Sequence, residues 1–143
     1  MHASGGLEML KAVTKKAKKI NKNIKVLGVT ILTSLNNKSV QEIGYKSKVE
    51  KLVLKQVSLI KKSGASGVIC SAHEAKIIRK KFKNLFIVTP GIRLPGDKKN
   101  DQKRITTPKQ AFQNKASAIV IGRSITTGSP KKNIKKLIDH LNQ

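Results

Sequence analysis

The sequence predicts an α/β fold built on a parallel sheet, and three observations carry that prediction. Apolar residues recur at helical spacing in some segments and as short β-branched runs in others, and the two patterns alternate along the chain. Helix-start and turn residues such as Ser63-Gly64, Thr107-Pro108 and Ser129-Pro130 fall between them. Successive strand–helix units joined by right-handed crossovers make a parallel sheet.

The elements follow in order. Leu7, Leu10, Val13, Ala17 and Ile20 share one helical face. The β-branched run Ile24–Leu32 reads as a strand ending in Thr33-Ser34. Val49, Leu52, Val53, Val57 and Ile60 form a second helical stripe, closed by Ser63-Gly64. A short buried strand, Gly67-Val68-Ile69-Cys70, leads to a helix carrying Ala75, Ile78 and Phe82. Leu85–Val88 is the next strand, and the polar loop after it, from Pro90 to Thr106, is long enough to suggest a functional role. Thr107 as N-cap, Pro108 at the first helical position and Gln110 completing a capping box start another helix. Ala118–Ile121 is the last strand, and Ser129-Pro130 opens a helix whose face is Ile134, Leu137, Ile138 and Leu141.

A chain of 143 residues is expected to be a single domain, 1–143. Two architectures compete for it. An open doubly wound parallel sheet can be built with no missing parts, whereas a (β/α)₈ barrel needs about 250 residues, of which this chain would supply the second half. The hydrophobic pattern by itself leans toward the open sheet.

Composition narrows the function. Hydrophobic residues make up 38% of the chain. No apolar run approaches the roughly 18 residues of a membrane span, and no secretory signal is visible at the N-terminus. The lone Cys70 excludes an internal disulfide framework, so a cytoplasmic protein is expected. The net charge of +24 invites a nucleic-acid reading. Yet of 31 basic residues only Arg79, Arg93, Arg104 and Arg123 are arginine, leaving 27 lysines spread over every predicted helix, and 3% of residues are aromatic. Base and phosphate readers favour the bidentate fork of Arg and stacking rings. Abundant Lys, Ile and Asn instead suit an AT-rich coding sequence, and nucleic acid is not the expected partner.

The motifs gather at strand ends. Thr89-Pro90-Gly91-Ile92-Arg93, then Asp101-Gln102-Lys103-Arg104, then Ile121-Gly122-Arg123 put guanidinium groups, an amide and a glycine backbone after two consecutive strands. Such groups suit a phosphate dianion. Together with His2-Ala3-Ser4-Gly5-Gly6, Val29–Ser34 and Gly67–Glu74, they form a collinear set covering the chain. This set resembles the C-terminal half of the orotidine 5′-phosphate decarboxylase family, which reverses the lean toward the open sheet. The resemblance implies half of a (β/α)₈ barrel carrying strands five to eight. It implies orotidine 5′-phosphate and UMP as ligands, no cofactor or metal, and a homodimer when complete. It assigns phosphate contacts to Arg93, Gln102, Gly122 and Arg123, and a contact to the pyrimidine ring to Thr33, with Ser34 able to share it.

Plainer roles stand beside these. Arg93 and Arg104 have an alternative reading as solvated loop charges, Thr33-Ser34 as a strand-end hydrogen-bonding pair, and Cys70 reads as a buried strand residue. His73 suits a first helical turn and His140 a solvated terminus. The family's catalytic groups, a Lys on the second strand and an Asp-x-Lys-x-x-Asp on the third, have no counterpart here. Asp97–Asp101 has the wrong spacing, so Lys99 and Asp101 are not given those roles. No catalytic residue is therefore assigned. The expected partner is the missing N-terminal half of the barrel, from a split, frameshifted or decaying gene. Alone, half a barrel is expected to self-associate or aggregate through its exposed edges.

Overall fold

A computed structural model describes residues 1–98 and 100–142; Lys99, set aside above, lies outside the described residues. A 3₁₀ turn at Ala3–Gly5 leads into α1 (Gly6–Ile20), β1 (Leu27–Val29), α2 (Asn37–Glu42), α3 (Val49–Lys62), β2 (Gly67–Ile69) and α4 (Ala72–Lys81). Then come β3 (Phe86–Thr89), α5 (Pro108–Gln113), β4 (Ala118–Ile119), α6 (Arg123–Thr126) and α7 (Pro130–Asn142).

The four strands are all parallel and lie in the order β1-β2-β3-β4. That order decides between the two architectures. A doubly wound sheet reverses its strand order at a switch point, whereas consecutive neighbours with right-handed crossovers put every helix on one face, as in a barrel wall. The fold is therefore α/β in the manner of a (β/α)₈ barrel, and the open doubly wound alternative is corrected.

Register and burial locate the core. Gly28, Val68 and Ile87 stand side by side and point to the helices, Val68 and Ile87 being fully buried. Gly28 is required there, because a Cβ would lie 2.4 Å from Ile60 of α3. The same face buries Leu10, Val53, Val57, Ile60 and Ile78. The opposite face carries Val29, Ile69 and Val88 in register, all only half-buried.

Several predicted elements are shorter than their apolar runs. Ile24–Leu32 pairs only over Leu27–Val29, because its partner β2 is itself short. Ala118–Ile121 pairs over Ala118–Ile119. Two helices were not expected. In α2, the Asn36 side chain accepts from the Ser39 N–H at 2.9 Å, a capping signal without apolar periodicity behind it. The other, α6, is a single turn. The apolar stripes at the two ends of the chain are only partly covered. Ile20 of α1 is 71% exposed, and Ile138 of α7 is 51% exposed. Met1 and His2 run parallel to the outer edge of β1, where Val29 N–H donates to Met1 O at 2.7 Å.

Candidate anion-binding site at the carboxyl ends of the strands

The loop joining β3 to α5 organises the site. Gly91 turns the chain with φ of 77°, where a Cβ would come within 3.0 Å of the Arg104 carbonyl. Just beyond it the loop closes on itself: Arg93 N–H donates to Thr106 O at 3.0 Å and Thr106 N–H to Gly91 O at 3.2 Å. Its far limb crosses the end of β1, where the N–H groups of Lys103 and Arg104 both donate to Thr33 O. The Arg104 guanidinium pairs with Glu74 and donates to the carbonyls of Ile31 and Leu32, each at 3.1 Å. Burial pushes the Glu74 carboxyl above its ordinary range, and the Arg104 charge offsets part of that rise. Arg104 is thus an anchor for the loop, and its alternative reading as a solvated charge is corrected.

Two cavities open beside this loop. The first, of about 350 Å³, is lined by Arg93, Lys98, Asn100, Arg123, Ser124 and Asn133, and by Asp97, whose Oδ2 accepts from Leu94 N–H at 3.1 Å. Arg93 is only 6% exposed, so its reading as a solvated charge is likewise corrected. It spends Nη1 on Ile92 O at 2.9 Å and Nε on Lys98 O at 3.3 Å, while Nη2 has no acceptor among the described residues. Ser124 Oγ in the same wall is also shielded and without a partner among the described residues. Buried donors of this kind call for an acceptor, and two guanidinium groups in one wall make an anion the favoured one. Gly122 caps the turn that carries Arg123, and no neighbour within 4 Å would meet a Cβ there. Nothing in the packing of the described residues calls for glycine at that position.

The second cavity, of about 200 Å³, is mostly apolar: Val29, Ile31, Ile69 and Cys70 line it with Thr33 and Gln102. Burial, and secondarily the Glu74 charge, push the Cys70 thiol well above its ordinary value, so it stays neutral and inert. A hydrogen-bonded chain joins the two cavities. Thr33 Oγ1 donates to Gln102 Oε1, Gln102 Nε2 donates to Asp101 Oδ2 at 3.1 Å, and Arg123 Nη2 donates to Asp101 Oδ1. These hydrogen bonds, that from Arg123 first, hold the Asp101 carboxyl below its ordinary range.

Of the residues the sequence nominated, Arg93 and Arg123 share the first cavity, Thr33 and Gln102 share the second, and Gly122 adjoins the first. Asp101, Ser124 and Asn133 were missed. Asp101 was weighed only as a mimic of a distant catalytic motif, though its place beside Gln102 was a usable signal. His73 falls in the first turn of α4, as expected. His140, by contrast, has its Nε2 shielded from solvent and is not fully solvated.

The site lies at the carboxyl ends of parallel strands, with guanidinium donors after the third and fourth of them, and this defines an α/β protein of the barrel type with a candidate anion site. Comparison narrows the class. The sequence profile of the orotidine 5′-phosphate decarboxylase / HUMPS family matches residues 1–137, and the chain belongs to that family. An orotidine 5′-phosphate decarboxylase of Coxiella burnetii is 42% identical over 142 residues, covering 97% of this chain and 60% of that protein. The crystal structure of the enzyme from Lactobacillus acidophilus superposes with a TM-score of 0.77 at 34% identity, covering 100% of this chain and 62% of the other. That of orotidine 5′-monophosphate decarboxylase from Methanocaldococcus jannaschii, complexed with the inhibitor BMP, gives 0.66 at 25% identity over 99% of this chain. The chain thus spans about 60% of the length of the relatives it matches. No helix among the described residues is long and apolar enough to cross a membrane.

Proposed function

We propose that this chain is one partial domain carrying the substrate-holding part of an orotidine 5′-phosphate decarboxylase. In this reading Arg93, Gln102, Gly122 and Arg123 grip the phosphate of orotidine 5′-phosphate or UMP, and Thr33 contacts the pyrimidine ring. The observation that carries it is the pairing of cavities. One holds two guanidinium groups, a buried Nη2 among them without an acceptor among the described residues. The neighbouring one is apolar with a hydroxyl and an amide at its rim, and Gln102 stands between them. A phosphate ester of a flat, polar-edged ring fits that division.

The division also fits the economy of the reaction. Gripping a phosphate remote from the bond that breaks supplies binding energy that holds the ring against charged groups. Those groups, a carboxylate facing the departing carboxylate and an ammonium that protonates the carbanion, are what the family's Lys and Asp-x-Lys-x-x-Asp provide. This sequence contains no such motif, so decarboxylation requires a complementary length of polypeptide that closes the barrel. The complete form is a homodimer in this proposal.

Two measurements test it. UMP should raise the melting temperature of the chain, and Arg123→Ala should sharply reduce the rise at the same UMP concentration. Decarboxylation should appear only when an N-terminal barrel half from a relative is co-expressed; activity of the isolated chain, or no UMP effect at all, sinks the proposal. Should UMP bind while complementation never yields activity, the chain is a nucleotide-phosphate-binding remnant instead. A nucleic-acid function finds less support. Arg79 is committed to the carbonyls of Lys83 and Leu85 and to Ser117 Oγ, and Arg104 to Glu74, so outside the two arginines of the candidate site a phosphate backbone would meet lysines.

A further inference from the structure

Asp101 stands where a ligand's anion would compete with it. Its Oδ1 accepts from Arg123 Nη2 and its Oδ2 from Gln102 Nε2. Those two donors belong to residues on opposite sides of the boundary between the cavities, and both are nominated above for the phosphate. The carboxylate is 59% exposed, so it is not held by packing. The loop that carries it is anchored a few residues further on, where Arg104 is tied to Glu74 and to two β1-end carbonyls. Asp101 can therefore swing outward without the loop leaving its place.

We propose, resting on the phosphate reading above, that Asp101 is an internal surrogate anion that sets the affinity and selectivity of this site. A phosphate oxygen that takes the Arg123 donor must displace the Asp101 carboxylate. That displacement frees Gln102 Nε2 at the same moment, because the two donors share one acceptor group. Gln102 Oε1 keeps its hydrogen bond from Thr33 Oγ1 at the edge of the apolar cavity. Anion capture and the setting of the ring-side amide are thus one event. A dianion outcompetes a carboxylate for two donors and a singly charged ligand does not, so Asp101 screens weakly charged ligands from the site. Lys98 and the buried Arg93 in the same wall hold the incoming charge once it arrives.

Titration calorimetry on the full 143-residue chain tests this, with inorganic phosphate and UMP as separate probes and acetate as the singly charged control. Asp101→Asn and Asp101→Ser should each bind phosphate and UMP about three- to tenfold more tightly than the unaltered chain, the scale of an exposed ion pair plus a removed like charge. Acetate should begin to bind, and in an Arg123→Ala background the gain should vanish. Circular dichroism of both variants establishes that they are folded. Unchanged or weaker binding in both variants overturns the proposal, since Asp101 would then be a brace of the bound form. A gain that survives Arg123→Ala overturns it too, because that is general charge relief. If the unaltered chain binds UMP in an Arg123-dependent way and the Asp101 variants gain nothing, this inference alone falls. If none of the proteins binds either probe, the phosphate reading falls and takes this one with it.

Discussion

Two arginine–carboxylate pairs fasten neighbouring points of one loop, and they are built for different purposes. Arg104 and Glu74 are 12% and 8% exposed at their side chains, and Arg104 also serves two backbone carbonyls. Arg123 and Asp101 are 46% and 59% exposed, and Arg123 lines an open cavity. Breaking a buried pair leaves a charge stranded in low dielectric, whereas an exposed pair exchanges easily for water or ligand. The difference teaches that a loop able to admit a ligand and return to the same place needs one fixed point and one releasable one. Chemically the two ion pairs are alike; burial and the two carbonyls that Arg104 also serves separate their roles.

The comparison can be broken most forcibly at its buried member. Arg104→Met should cost about 3 kcal/mol of stability by urea denaturation, since it strands Glu74 and unpairs two carbonyls. A loss under about 1 kcal/mol would mean that Arg104 is no anchor. Next in size, Arg123→Ala should weaken UMP binding about thirtyfold while leaving the denaturation midpoint nearly unmoved. Thr33→Val should weaken UMP binding by a smaller factor, about fivefold, by removing one hydroxyl at the ring cavity; an equal loss for inorganic phosphate would place Thr33 on the wrong side of the boundary.

The smallest effect is in the pH profile, where the two carboxylates have opposite signs. Glu74 titrates above its ordinary 4.5, so the folded chain binds its proton more readily than the unfolded one. Its contribution is full below that value and is lost as the pH rises through the raised one. Asp101 titrates below its ordinary 3.8, so its contribution is present above that value and is lost as the pH falls through the lowered one. Thermal midpoints of Glu74→Gln and Asp101→Asn against pH should flatten these separate limbs. Identical profiles for the two variants would refute the contrast.

Much of the frame was legible in the chain. The stripe Val49–Ile60 and the Thr107-Pro108 start, where Thr107 Oγ1 accepts from the Gln110 N–H at 3.3 Å, were visible because helix periodicity and capping are local. The single-turn α6 and the short α2 escaped, since neither is long enough to show a period. The outer stripes of α1 and α7 were read correctly as apolar but are not fully covered. A periodicity states which face avoids water, not which partner meets it.

Residue order alone determined the alternation of helix and strand, the family resemblance, and the kinds of side chain that collect after β3 and β4. Those follow from local propensity and spacing, which a linear chain carries in full. Only the folded arrangement decided that Arg104 is sealed beneath the loop while Arg123 stays at its surface, and that Asp101 stands between Arg123 and Gln102. Solvent access and dielectric around a charge are set by atoms from distant segments, here Glu74 and the end of β1, and no spacing along the chain encodes them.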